Sequence, residues 1–169
     1  GEIVIMQNAR NEGSIRKTCL NGYWDFLPAS GGEAPRSVPK DGWISNRYVV
    51  PSFWNKSKEA IRQPGEQAFR VPAPDEKFAH ETEFLWDAFG YPLEWNSTVT
   101  AWARRNVNIP KLKPGRRYFL AFNGILKRST LFINGREVVK HFEGMLPLET
   151  DVTEFLKAGD NEVAVLMED

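Results

Sequence analysis

The groups in this chain that could do chemistry are its carboxylates, two histidines, one thiol and a large aromatic set. Two carboxylates can act as acid and base across a glycosidic bond. Glu81 with Glu83, Glu143, Glu149 with Asp151, and Glu168 with Asp169 are the pairs and single groups to consider. A chain with 22 acidic residues offers such pairs by chance, so they are read as solvated surface or turn caps. His80 and His141 lie far apart and lack metal-ligand spacing. Cys19 stands alone, which excludes an internal disulfide or a cysteine-rich zinc site. There is no Gly-rich phosphate loop and no Gly-x-Ser-x-Gly nucleophile elbow. No catalytic residue is assigned, and no metal or other cofactor is expected.

The aromatics say more. Six tryptophans and eleven phenylalanines are present. A tryptophan can stack on the C–H face of a sugar ring while its N–H finds an acceptor. Trp24, Trp43, Trp54 and Trp102 sit in or beside strand-like runs and are read as core. Trp86 and Trp95 lie in an irregular stretch, where a rigid scaffold commonly displays binding residues. Arg104 and Arg105 follow Trp102 inside a predicted strand, so only one of them can point into the interior. A buried arginine needs partners. The structural reading is an arginine that locks strands together; the functional one is a clamp on sugar hydroxyls or a carboxylate.

The elements that must position these groups are mostly strands. Residues 1–18 are polar, without clear periodicity, and read as a lead-in segment. Tyr23 to Leu27 is a strand after Asn21-Gly22; residues 28–42, rich in proline and glycine, are loop; Tyr48 to Val50 is a short strand ended by Pro51. Residues 52–97 hold nine aromatics with no sustained period of 2 or 3.6, and are expected to fold down onto something. From Thr98 to Ile109 the alternation returns, and Pro110 stops it. Tyr118 to Phe122 is apolar on both faces, which predicts a strand covered on both sides. Thr130 to Ile133 and Glu137 to Val139 flank Asn134-Gly135, the residue pair a type I′ hairpin turn prefers. Asp151-Val152-Thr153-Glu154 has the spacing that caps a single helical turn. Ala158-Gly159-Asp160 is a turn, and Asn161 to Met167 a last strand with Val163, Val165 and Met167 on one face. Short strands with almost no helix predict an all-β sandwich or barrel.

Composition limits the function classes. The chain has 169 residues, is 41% hydrophobic and carries no formal net charge. That suits one domain with its own core and argues against a dedicated nucleic-acid binder, which needs a basic surface. No apolar run approaches the ~20 residues that span a bilayer, so no membrane partner is expected. The first residue is glycine, so a removed start is expected.

Several segments in order resemble a known family. They are Leu20-Asn21-Gly22-Tyr23-Trp24-Asp25-Phe26, Val50-Pro51-Ser52-Phe53-Trp54, Trp102-Ala103-Arg104-Arg105 and Ile109-Pro110. Arg117 through Ile125, Leu131-Phe132-Ile133-Asn134-Gly135, His141 through Pro147, Asp151-Val152-Thr153 and Leu156 through Asn161 complete the series. Together they resemble the N-terminal sugar-binding domain of family 2 glycoside hydrolases, the group of β-galactosidases, β-glucuronidases and β-mannosidases, over residues 19–167 apart from the insert. The resemblance implies a jelly-roll β-sandwich of the galactose-binding type over residues 19–169. It also implies a parent chain that continues into an immunoglobulin-like domain and a catalytic (β/α)8 barrel. The family's two catalytic glutamates belong to that barrel, and no position here matches them. Trp102, Arg104, Arg105, Asn134 and Gly135 are the structural motif of the resemblance. Two departures stand out: Ala103 occupies a place usually aromatic, and the stretch before Trp102 is longer than in the family.

In some members a loop before that strand reaches the barrel and helps to shape the sugar pocket. On that basis Trp95 and Asn96 are the sugar-binding candidates, with Trp86 and Asp87 behind them. The expected partners are a β-glycoside and the barrel of the same parent chain. A periplasmic or secreted location is the family's implication. An autonomous carbohydrate-binding module or lectin, and a structural protein-interaction domain, are the alternative functions.

Overall fold

The computed structural model describes residues 3–8, 15–29, 36–50, 52, 54, 91–125, 128–142 and 147–168. The chain divides into two units, one of residues 1–51 with 100–169, the other of residues 52–99. The first unit is an all-β jelly-roll sandwich of ten strands among the described residues.

The strands are β1 (Ile3–Asn8), β2 (Ile15–Cys19), β3 (Gly22–Ala29), β4 (Ile44–Val50), β5 (Thr100–Ile109), β6 (Arg117–Phe122), β7 (Arg128–Ile133), β8 (Arg136–His141), β9 (Leu148–Asp151) and β10 (Gly159–Glu168). A four-stranded sheet runs β2-β1-β6-β9 and a six-stranded sheet runs β4-β3-β5-β10-β7-β8. Every neighbouring pair is antiparallel. Such sheets can bury one face and wet the other, and the residue types follow that rule. On β5 one row is Ala101, Ala103, Arg105, Val107 and Ile109; the other is Trp102, Arg104, Asn106 and Asn108. The first row faces the interior with Trp24 and Phe26 of β3, Val163 and Val165 of β10 and Leu131 and Ile133 of β7, all buried. From the four-stranded sheet, Tyr118, Leu120 and Phe122 of β6 are buried likewise.

The opposite face of the six-stranded sheet is not simply wet. Trp102, Phe132, Ala164 and Leu166 form an apolar cluster there, packed against Leu27, Val38 and Trp43. Register explains the cluster: Leu27 pairs with Trp102, Trp102 with Leu166, and Ala164 with Phe132. The Trp102 and Phe132 rings lie 5.2 Å apart and tilted, a favourable aromatic geometry. Residues 36–43 thus cover part of the sheet as a third layer.

The structure departs from the sequence reading at the start of the chain. Residues 1–18, expected as lead-in, contain β1 and most of β2. β1 is a run of four apolar residues, Ile3 to Met6, rather than an alternation, β2 is polar, and β1's partner β6 is more than a hundred residues away, so periodicity gives no local signal for the pair.

Candidate functional site

The sugar-binding candidates fall at the foot of the long insert, in the second unit. Leu93–Ser97 forms a 3₁₀ turn. It starts where the Trp95 amide donates to Pro92 O at 3.1 Å and closes where the Thr98 amide donates to Trp95 O at 3.0 Å. Proline suits this start, since its fixed φ leads into the turn and its missing N–H is not needed there. The Ser97 hydroxyl donates to Glu94 O at 2.9 Å.

The two ends of the insert are tied across this turn. The Trp54 indole donates to Thr98 O at 3.0 Å. Ser52 Oγ and Tyr91 Oη share a hydrogen bond of 2.7 Å. The Tyr91 and Trp95 rings lie 5.3 Å apart, tilted by 30°. Trp95 is only 2% exposed, so it presents no ring face to solvent and anchors the turn instead. The sequence left Trp95 open between core and sugar contact, and in the structure its ring is buried and packs against the aromatic four residues upstream. Glu94 and Ser97 are the exposed polar residues of the same turn. Asn96 lies in the turn by backbone, while Trp86 and Asp87 lie outside the described residues.

Both arginines of the structural motif are occupied with protein groups. Arg104 lies on the outer face of β5, where Nε donates to Asp25 Oδ2 at 3.1 Å and Nη1 to Glu162 Oε2 at 3.4 Å. It therefore links β3, β5 and β10. Its guanidinium sits 4.3 Å from the Trp43 ring centroid, a cation–π distance. Trp43 in turn donates its indole N–H to Pro39 O at 2.9 Å. The arrangement latches residues 36–43 onto the sheet. Sequence reasoning had Trp43 as core and missed Asp25 and Glu162 as partners, because the pairing depends on strand order.

Arg105 is the arginine on the interior row. One of its nitrogens, Nη1, donates to Leu20 O and Asn21 O, each at 2.8 Å. Leu20 O also takes the Trp24 indole N–H at 2.8 Å. Gly22 follows with φ +115°, and a Cβ there would stand 3.6 Å from the same guanidinium nitrogen. The positive φ, more than the space, demands glycine. Among the described residues, the Trp102 indole N–H is buried and has no acceptor.

The Asn134-Gly135 turn has the geometry its sequence predicts, with φ of 51° and 77°. It is bolted to β10. Asn134 Nδ2 donates to Phe155 O and to Asn161 Oδ1, both at 2.9 Å, and Asn134 Oδ1 accepts the Glu162 amide at 3.0 Å. At the helical turn Thr153–Phe155, Asp151 Oδ1 accepts the Thr153 amide at 3.0 Å and its hydroxyl at 2.6 Å. Burial pushes the Asp151 carboxyl up, but the Thr153 bonds and the Arg117 guanidinium outweigh it and hold it below the ordinary aspartate range.

Among the described residues no group of three or more His, Cys, Asp or Glu could hold a metal ion. The geometry so far is that of a scaffold. Within the second unit it holds a short polar turn, and within the first it ties Arg104, Arg105 and Asn134 to neighbouring strands and turns.

The comparisons agree with this class of protein, a β-sandwich. The sequence model described as "Glycosyl hydrolases family 2, sugar binding domain" matches residues 17–168, and the chain belongs to that family. It is similar to a β-galactosidase of Aeromonas hydrophila, 29% identical over 162 residues that make up 91% of this chain and 14% of the relative. A putative β-glucuronidase of Formosa agariphila is 26% identical over 92% of this chain and 13% of its own length. Among solved structures, a β-glucuronidase of an uncultured Clostridium species superposes with a TM-score of 0.61 at 21% identity, covering 99% of this chain and 22% of that one. That likeness is one of fold. The chain spans roughly a seventh of the curated relatives' length.

Proposed function

We propose that the chain serves as the accessory domain of a larger glycosidase that hydrolyses β-glycosidic bonds. In this role it braces a catalytic barrel and lends one turn to the rim of the sugar pocket. The observation that carries the reading is the family match over residues 17–168 in a chain that covers only 14% of a β-galactosidase relative. The turn is Leu93–Ser97. Asn96, with exposed Glu94 and Ser97, would meet sugar hydroxyls, while buried Trp95 would hold the turn in place. The uronide or galactoside named for the relatives is the substrate class to try first. Export to the periplasm or medium completes the reading.

The test is twofold. The open reading frame that contains this chain is expressed whole and assayed on nitrophenyl β-galactoside, β-glucuronide and β-mannoside. The isolated chain is titrated calorimetrically with the corresponding free sugars. Hydrolysis by the whole protein, with no saturable binding by the isolated chain at millimolar sugar, is the expected result. A reading frame without glycosidase activity, coupled to tight oligosaccharide binding by the isolated chain, would replace the accessory domain with an autonomous carbohydrate-binding module. Cell fractionation tests the location, and a cytoplasmic product would overturn export.

A further inference from the structure

The chain has no net charge, yet its charges are not evenly spread. Lys111, Lys113 and Arg116 place three cations, and no carboxylate, in the seven residues that join β5 to β6, and Arg117 opens β6. The turn is well fixed. The Arg116 amide donates to Lys113 O at 3.2 Å, Gly115 has a φ of 75°, and Tyr118 Oη accepts the Lys113 amide at 3.1 Å. β10 begins at the same end of the sandwich, since Ile109 is paired with Gly159. That register puts Lys157, two residues before Gly159, at the same end of the sandwich as the β5–β6 turn. Lys157 is fixed as well, its amide donating to the buried Asn161 at 2.9 Å.

The nearby carboxylates do not cancel this charge. Asp151 is paired with Arg117, while Asp160, which accepts the Asn108 side-chain amide at 2.7 Å, and exposed Glu154 set two negative charges against Lys111, Lys113, Arg116 and Lys157, leaving an excess of two cations. Lys111, Lys113 and Lys157 are exposed, and none has a side-chain partner among the described residues. Three ammonium groups on two hydrogen-bonded turns at one end of the sandwich set up a local positive potential on a molecule that is neutral overall. Spread over two turns rather than gathered in a cleft, they fit a linear ligand with repeated charges.

We propose that this end of the sandwich docks an anionic polysaccharide, through the carboxylates of uronate units or through sulfate esters. The inference rests on the sugar-binding reading above and adds the polymer class to it. The site lies where β5 ends, at the opposite end of the sandwich from the start of β5 and the finish of β10.

The test uses the 169-residue chain. Polygalacturonate supplies uronate, dextran sulfate supplies sulfate, and neutral dextran and a single-stranded oligonucleotide are the controls. Binding is followed by affinity electrophoresis and by titration at low salt and at about 0.5 M salt, where screening is nearly complete beyond a few ångströms. The expected result is binding to one or both anionic glycans, none to dextran, and loss at high salt. The triple substitution Lys111→Glu, Lys113→Glu, Lys157→Glu should weaken it roughly tenfold or more, by replacing three surface attractions with repulsions. These are exposed positions, and an unchanged unfolding midpoint establishes that the variant is folded. Absence of binding, equal binding by the variant, or equally tight capture of the oligonucleotide overturns the proposal. Glycosidase activity without polyanion binding sinks this inference alone. Polyanion binding without activity sinks the accessory-domain reading alone.

Discussion

Trp24 and Trp102 pose the same problem with two solutions. Both indoles are buried, at 1% and 0% exposure, but Trp24 gives its N–H to Leu20 O while Trp102 has no acceptor among the described residues. A buried donor without a partner costs about 1–3 kcal/mol. Trp→Phe removes the donor and a similar volume at either site. At Trp24 the change forfeits a hydrogen bond; at Trp102 it relieves an unsatisfied group. Urea unfolding should therefore find Trp24→Phe more damaging than Trp102→Phe by about 1 kcal/mol, and equal losses would refute the comparison. A second residue-level prediction concerns Asp151, whose carboxyl is held below its ordinary range in the folded state. A lowered folded value means that the stabilisation is fully present above the unfolded value of about 3.9 and is lost as pH falls through the folded value. The stability gap between the parent chain and Asp151→Asn should be full at pH 7 and shrink steadily below about pH 4. A gap that stayed constant to pH 2 would show that the ionised carboxylate contributes nothing.

Turns, more than strands, fix the register of the six-stranded sheet. Asn161 is fully buried near the start of β10, yet it is polar. It is tolerated because every polar atom is used: Oδ1 accepts from Lys157 N and Asn134 Nδ2, both at 2.9 Å, and Nδ2 donates to Lys157 O and Gly159 O at 2.8 and 3.0 Å. It joins the β7–β8 hairpin to the turn before β10. Asn161→Ala would leave several buried groups unpaired and should cost about 2–4 kcal/mol; a loss under about 0.5 kcal/mol would mean that water replaces the amide. How much of this was legible in the sequence differs by element. Asn134-Gly135 announced its hairpin because the left-handed backbone limits the residue choice to very few. β5 and β10 were legible because one face alternates cleanly. Asn161 looked like an ordinary strand residue, since its partners come from turns that only the fold assembles. Trp95 is buried with Tyr91 beside it, a contact within a stretch that has no periodicity. Strand order was not legible at all, and with it the Asp25–Arg104–Glu162 chain across three strands.

At the scale of the whole molecule, the boundary of the sandwich is the sharpest question. The family match begins at residue 17, and sequence reasoning starts the domain at residue 19. In the structure the first strand sits in the middle of the four-stranded sheet, with β2 on one side and β6 on the other. Its register with β6 runs over six residue pairs, from Ile3 with Phe122 to Asn8 with Arg117. β6 contributes Tyr118, Leu120 and Phe122 to the core, all buried. Without β1, one edge of β6 would expose a row of unpaired N–H and C=O groups beside an apolar face, and bare edges of that kind recruit other chains. Loss of β1 and β2 also leaves that sheet with two strands, too few for independent stability on one side of a sandwich. A chain cut to residues 19–169 should therefore be insoluble or aggregate on purification. Adding back residues 1–18 in the same construction should restore a soluble monomer with a cooperative unfolding transition. Were the shortened chain soluble, monomeric and equally stable, the two strands would be an appendage, and the sandwich would begin where the family match does.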